Sequence, residues 1–216
     1  MSAVDAAWWV GRRTIQPLVR AVAPFRNYGV ERVPPAGGCV IAVNHFSWID
    51  PPLVGAACPR RIAFVAKVEA HRVPGLGQLI RSFGTISVRR GESDRDAVRL
   101  MREAARNGRV LGLFVEGTRQ RSGRPGVAQP GAAMVALQED VPVVPVAIHG
   151  TQVWSLRNRA PCSIAFGRPL RFEGLPKNGR GYKEATAEIQ QRIHTLFEWL
   201  EDVHRRGRPQ GLEPPV

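Results

Sequence analysis

The chain has 216 residues, 44% hydrophobic and 23% charged, which excludes a disordered polypeptide and leaves room for one sizeable core. A formal net charge of +13 and a pI near 11.3 favour anionic partners: acidic lipid headgroups, nucleic acid or phosphorylated substrates. Three widely spaced cysteines (Cys39, Cys58, Cys162) with no ligand-like spacing exclude a disulfide framework and a zinc site, and fit reducing, cytosolic surroundings.

The first stretch, "AAWWVGRRTIQPLVRAVAPF", mixes Trp8 and Trp9 with Arg12, Arg13 and Arg20, the pattern of an amphipathic helix lying in a headgroup layer; Pro17 would kink or split it. Its charges follow the apolar residues, unlike a signal peptide, and no segment has the uncharged length of a spanning helix. "CVIAV" (39–43) reads as a buried strand and 51–57 as a short helix. Strands are predicted over 61–66, 85–88 and 109–115, and helices over 75–83 and 93–108, the latter capped by Ser93 or Asp94 and closed by Gly108. A helix over 131–140 precedes a strand over 141–148, whose prolines point to an edge or an irregular ladder. A late strand over 161–167 and a long helix over 182–206, with Ile189, Ile193, Leu196 and Leu200 at helical spacing, complete the pattern.

Strands alternating with helices define one α/β domain around a mixed or largely parallel central sheet flanked by helices. The organisation read from this is an N-terminal amphipathic helical segment over 1–30, the domain over 31–206 and a loose tail over 207–216.

Four places put polar residues at the ends of buried strands, where α/β sheets collect ligands. The first is "NHFSWID". His45 follows a strand and Asp50 comes five residues later, before Pro51 and Pro52. Asp50 either caps the helix that Pro51 begins or also holds the His45 ring for proton transfer, leaving the other ring nitrogen to take a proton from a hydroxyl. The second is "GTISVRR", a strand ending in Arg89 and Arg90. The third is "LFVEGTRQRSG", where Glu116, Gly117, Thr118 and Arg119 open a long loop (118–130) that also carries Arg121 and Arg124. Gly117 lets backbone approach a ligand, and Arg119 has the fork that grips phosphate; a structural Glu116–Arg119 ion pair is the plainer alternative. The fourth is "VPVVPVAIHG", which contributes shape; its His149 reads as a satisfied structural histidine.

In this order the blocks resemble the PlsC-type, lysophosphatidic acid acyltransferase-like glycerolipid acyltransferases, from about Val33 to Gly150. "NHFSWID" resembles their N-H-x-x-x-x-D block. "AKVEAHRVPGLGQLIRSFGTISVRR" is similar to the second, with Lys67, Pro74, Gly77, Gly84 and Arg90 at matching spacing, and "LFVEGTRQRSG" to the F-P-E-G-T-R-S block. Departures are Val115 for the usual proline, Gln120 for serine, Gln129 where a lysine often stands, and Arg89 where an acidic residue is common. None touches His45, Asp50 or the E-G-T-R core.

The resemblance implies a glycerol-3-phosphate acyltransferase-like fold. It implies transfer of a fatty acyl group from a thioester, acyl-CoA or acyl-carrier protein, to a lysophospholipid hydroxyl, 1-acylglycerol 3-phosphate first among acceptors. Glycerol 3-phosphate or another lyso-lipid is the alternative. His45 and Asp50 are the implied catalytic pair. Arg119, helped by Arg90 and Lys67, is implied to hold the acceptor's phosphate. Glu116, with Gly117 and Thr118, belongs by resemblance to the acceptor-binding block, either touching glycerol hydroxyls or orienting Arg119. Neither a metal nor a cofactor is required, because a thioester is already activated. The implied setting is peripheral, on the cytoplasmic side of an anionic membrane, with acyl-carrier protein as a further partner and none in nucleic acid, since no recognised nucleic-acid module is present. A non-catalytic lipid-surface protein is the rival class, but such a protein has no need of the His45–Asp50 pair.

Overall fold

The computed structural model describes residues 16–67, 86–88 and 95–216. Helix α1 (residues 16–22) leads into strand β1 (Phe25–Tyr28). There follow β2 (Cys39–Val43), α2 (Asp50–Ala57), β3 (Ile62–Lys67), β4 (Ile86–Val88) and α3 (Arg95–Arg106). Then come β5 (Val110–Phe114), α4 (Gly131–Glu139), β6 (Val143–His149), β7 (Cys162–Phe166) and α5 (Gly179–Arg205).

The strands form one seven-stranded sheet in the order β1-β7-β6-β2-β5-β3-β4. From β6 to β4 neighbouring strands run parallel; β7 is antiparallel to β6 and parallel to β1, so of the two arrangements the α/β pattern left open, mixed or largely parallel, the sheet is mixed with a parallel majority. The strand β2 lies between β5 and β6, fully buried, and its side chains divide between two faces. Cys39, Ile41 and Val43 join α1 and α2 on one face, while Val40 and Ala42 join α3, α4 and the start of α5 on the other. A strand covered on both sides must be apolar throughout, which is why "CVIAV" shows no alternation.

Three expectations change. The strand β1 falls inside the segment read as wholly helical: after α1 the chain straightens and Phe25 to Tyr28 pair with β7, with Phe25 and Tyr28 buried. The strand β6 is interior, not an edge. A residue's N–H and C=O lie on the same side of its strand, and the Pro145 carbonyl accepts from the Gly167 N–H (2.8 Å). The missing Pro145 donor therefore faces β7 just past that strand's last paired residue, Phe166, and no bond to β2 is lost. The tail is also not loose. The Arg32 guanidinium donates to the Val216 and Pro214 carbonyls (2.7 and 2.8 Å) and the Tyr28 hydroxyl to the Pro209 carbonyl (3.0 Å). Leu212 and Val216 pack against the cluster of Tyr28, Phe197 and Leu200.

The long helix begins earlier than its apolar spacing suggests, because the Asn178 side chain accepts from the Arg180 and Gly181 amides and caps it. The expected helix over 75–83, and Ser93 and Asp94, lie outside the described residues, as do Trp8, Trp9, Arg12 and Arg13. No described helix is long and apolar enough to cross a membrane.

Candidate active site

The chain leaves β5 for β6 by crossing from one side of β2 to the other, and ligands in α/β sheets collect at such a switch, outside the strands' carboxyl ends. That is where His45 stands. Asn44 anchors the turn below it: its side chain is fully buried, accepts from the Ile148 N–H (2.8 Å) and donates to the Ile148 carbonyl (3.0 Å), clipping β2 to β6.

Asp50 answers the question its spacing raised. It is the first residue of α2, yet it makes no cap bond to that helix, whose N-cap is Ile49. Its Oδ2 instead takes three donors from the preceding turn: the Phe46 N–H (2.7 Å), the Ser47 N–H (2.8 Å) and His45 Nδ1 (2.8 Å). Asp50 is fully buried, and its Oδ1 has no hydrogen-bond partner among the described residues. With an acceptor on Nδ1, the proton sits there and Nε2 keeps its lone pair. The His45 ring stacks on Phe114 at the end of β5 (centroids 4.1 Å, planes 26° apart), and Phe114 stacks in turn on Phe64 (5.8 Å, 11°). The histidine side chain is 16% exposed, and Nε2 makes no hydrogen bond among the described residues. The ring is thus held on one edge and one face and open at the other nitrogen. Nothing in the spacing of the motif revealed Phe114 as its platform; an aromatic at a strand end two residues before Glu116 was the available signal.

The loop bearing Arg119 is tied to the same turn. The Gly117 N–H donates to the Phe114 carbonyl (3.0 Å), and Gly117 sits at φ 69°, a left-handed conformation that glycine adopts without strain. The Gln120 N–H donates to the His45 carbonyl (2.7 Å), so Arg119 lies one residue from a direct bond to the histidine's backbone. Thr118 and Arg119 are both exposed. Arg124, further along, pairs with Glu201 of α5 (3.5 Å).

Glu116 is placed differently from its neighbours. It is 6% exposed, its Oε1 accepts from the Gly126 amide (3.3 Å), and its Oε2 is buried without a partner among the described residues. No Glu116–Arg119 ion pair is present. Burial pushes the Glu116 carboxyl up to about 7; the nearby backbone N–H groups of Glu116, Gly126 and His45 pull the other way, and the negative charge of Asp50 adds to the rise. Glu116, just before the 118–130 loop, therefore ties Gly126 within that loop back to its start, while Gln120 ties the loop to the histidine's turn.

The strands β3 and β4 run parallel to β5, so Lys67, the last residue of β3, lies at the same carboxyl end as His45; Arg90 is outside the described residues. His149 is structural but not satisfied. Its Nδ1 is buried without a partner among the described residues, and its ring packs on His204 (4.3 Å, 60°) and Phe197 (5.3 Å). Burial lowers its pKa, and that of His204 to about 4, keeping both rings neutral where they touch. The thiols of Cys39 and Cys162 are pushed up to about 11 and about 12 by burial, which keeps them protonated and unfit as nucleophiles.

This layered fold also occurs in a solved acyltransferase structure. A solved structure of the 1-acyl-sn-glycerophosphate acyltransferase PlsC from Thermotoga maritima matches it with a TM-score of 0.76, covering 93% of this chain and 84% of that one at 23% identity, a likeness of fold. Residues 24–149 match the family model described as Acyltransferase, and the chain belongs to that family. The resemblance drawn from the motifs is thereby borne out. Among its relatives, a 1-acyl-sn-glycerol-3-phosphate acyltransferase of Borreliella burgdorferi is 30% identical over 60% of this chain and 53% of its own length. A lyso-ornithine lipid O-acyltransferase of Pseudomonas aeruginosa is 32% identical over 65% and 52%. A 1-acyl-sn-glycerol-3-phosphate acyltransferase of Limnanthes douglasii is 36% identical over 79% and 59%. The chain spans about half the length of the curated relatives it matches.

Proposed function

We propose that the protein is an O-acyltransferase moving a fatty acyl group from acyl-CoA or acyl-carrier protein to the free hydroxyl of 1-acylglycerol 3-phosphate, yielding phosphatidic acid. The observation that carries the reading is the His45 Nδ1–Asp50 Oδ2 contact of 2.8 Å, with the ring stacked on Phe114 and Nε2 left open. Nε2 takes the acceptor's proton while the oxygen attacks the thioester carbonyl; the carbon–sulfur bond then breaks and the thiolate leaves, recovering the proton from the imidazolium. Asp50 keeps the tautomer and offsets the imidazolium charge. A base so placed supplies about a 10²–10⁴-fold acceleration. No metal, cofactor or covalent intermediate is called on, because the thioester is already activated.

Arg119, with Lys67 and Arg90 assisting, holds the acceptor's phosphate. Gly117 and Thr118 shape the approach to it. Glu116 serves by holding its own loop through Gly126, in place of direct contact with glycerol hydroxyls. The names of the Borreliella and Limnanthes relatives favour a phosphate-bearing acceptor; that of the Pseudomonas relative favours a lyso-ornithine lipid as the second reading. The test is to offer purified protein a panel of these acceptors and glycerol 3-phosphate, with acyl-CoA and with acyl-carrier protein, while following free thiol and lipid product. Thiol release that depends on an acceptor supports the proposal; none with any pair ends it, and leaves a lipid-binding protein.

A further inference from the structure

At the outer edge of the sheet, β1, β7 and the chain after α5 meet in a cluster of basic side chains. Phe25 belongs to the face of α1 and α2, so Arg26 and Tyr28 point to the opposite one, where Tyr28 packs with Phe197 and Leu200 of α5. Arg26 is level with Ser163 of β7, whose hydroxyl meets His204 Nε2 (2.8 Å). The Arg26 guanidinium donates to the Arg208 carbonyl, and the Arg208 guanidinium to the Cys162 carbonyl (3.1 Å), one residue before Ser163. Two half-buried guanidinium groups are thereby drawn to one rung of the sheet. Neither pairs with a carboxylate among the described residues. The acids on this stretch of α5 are engaged elsewhere, Asp202 with Arg205 and Arg206, and Glu201 with Arg124. Each guanidinium spends one of its N–H donors on a protein carbonyl and keeps the rest of its fork. Burial lowers the Arg208 pKa and the charge of Arg26 lowers it further, the mark of like charges with no counter-ion.

We propose that Arg26 and Arg208 form a binding site for the phosphate group of a ligand, separate from the one assigned to Arg119. Half-buried charges of one sign are costly without an anion beside them, and here the chain supplies none. A guanidinium fork fits two oxygens of one anion. One fork would fill both oxygens of a carboxylate, whereas a tetrahedral phosphate offers oxygens to two forks at once. Along the order β1-β7-β6-β2, three strand spacings, about 14 Å, separate the strand of Arg26 from the strand that leads to His45. The same arginines strap the tail to β7, so an anion that holds them tightens that joint. The ring of His204, seated on Ser163 beside them, reports occupancy.

The test follows the His204 ring proton resonance of the full chain near neutral pH, assigned by its loss in His204→Gln, while phosphate replaces chloride at constant ionic strength. We expect a saturable shift with a midpoint on the order of 1 mM, and in about 50 mM phosphate a thermal midpoint about 4 °C or more above that in chloride. Arg26→Gln and Arg208→Gln should each abolish the saturable shift, and Arg119→Gln should keep it. Arg26→Lys can still reach the Arg208 carbonyl but has no fork, and should raise the half-saturating phosphate about tenfold. Inorganic phosphate, glycerol 3-phosphate and adenosine 3′,5′-bisphosphate are titrated side by side, and the one that saturates at the lowest concentration tells free phosphate, a glycerol phosphate and a nucleotide phosphate apart. No saturable shift with any of the three overturns the proposal. So does a phosphate response that survives in both glutamine variants while their chloride midpoints fall, the result expected of arginines that serve only as straps. Half-saturation of Arg26→Lys equal to wild type overturns it as well. None of these readouts depends on acyl transfer.

Discussion

Asp50→Asn isolates charge from geometry. The Phe46 and Ser47 amides point at Oδ2, so an asparagine must turn its carbonyl oxygen to that position, since its NH2 would face two donors. That oxygen still accepts from His45 Nδ1, and the productive tautomer survives; what disappears is the negative charge facing the imidazolium. At 2.8 Å, two unit charges in a medium of effective dielectric about 20 attract by about 6 kcal/mol. Both charges are delocalised and the ring is partly wetted, so the useful part is nearer about 1.5–4 kcal/mol, the lower part of the range that close charge pairs supply. The acyl-transfer turnover should fall by about 10- to 10³-fold. Thiol release under saturating substrate measures it, with the thermal midpoint followed in parallel. Asp50→Ala is the contrast: it also strands two amide donors at about 1–3 kcal/mol each and should lower the midpoint clearly. Turnover of Asp50→Asn within threefold of wild type would refute the reasoning.

His45→Ala should abolish acyl transfer with little change in circular dichroism or thermal midpoint, because the ring packs at the rim and not in the core. Arg119→Ala should raise KM for a phosphate-bearing acceptor several-fold more than it lowers kcat, read from initial rates. Glu116 gives a pH signature. Its folded pKa of about 7 lies above the ordinary value of 4.5, so the folded state holds the proton more tightly. That contribution is complete below about pH 4.5 and fades as pH rises through 7, a loss of about 3 kcal/mol by pH 8. Denaturant titrations of Glu116→Gln should show a flatter profile over that window, and a slope equal to wild type would remove the buried-acid account. Asn44→Ala should cost about 2–5 kcal/mol, since it strands the buried N–H and C=O of Ile148, measurable as a lower denaturation midpoint.

The fold was legible where burial alone dictates composition. The run "CVIAV" is apolar because β2 is covered on both faces, and the stripe of Ile189, Ile193, Leu196 and Leu200 packs where its period says. Phe25 to Tyr28 escaped because four residues are too short for a period, and what makes them a strand is a partner far along the chain. Pro145 misled because composition does not say which side of a strand its nitrogen faces. At the site, the spacing in "NHFSWID" brought histidine and aspartate together, but whether Asp50 faced its helix or its turn depended on backbone direction. The buried setting of Glu116 was invisible, since a motif names a residue and not its solvent.

The pairing of β1 with β7 sets a timetable. Phe25 sits beside Cys162, 137 positions later, and Val40 beside Val143. During synthesis the first strand has no sheet to join until most of the polypeptide has emerged. Contacts of such long range slow folding and leave hydrophobic edges bare meanwhile. An early pause or a truncated product would therefore expose sticky strands instead of a half-sized working domain.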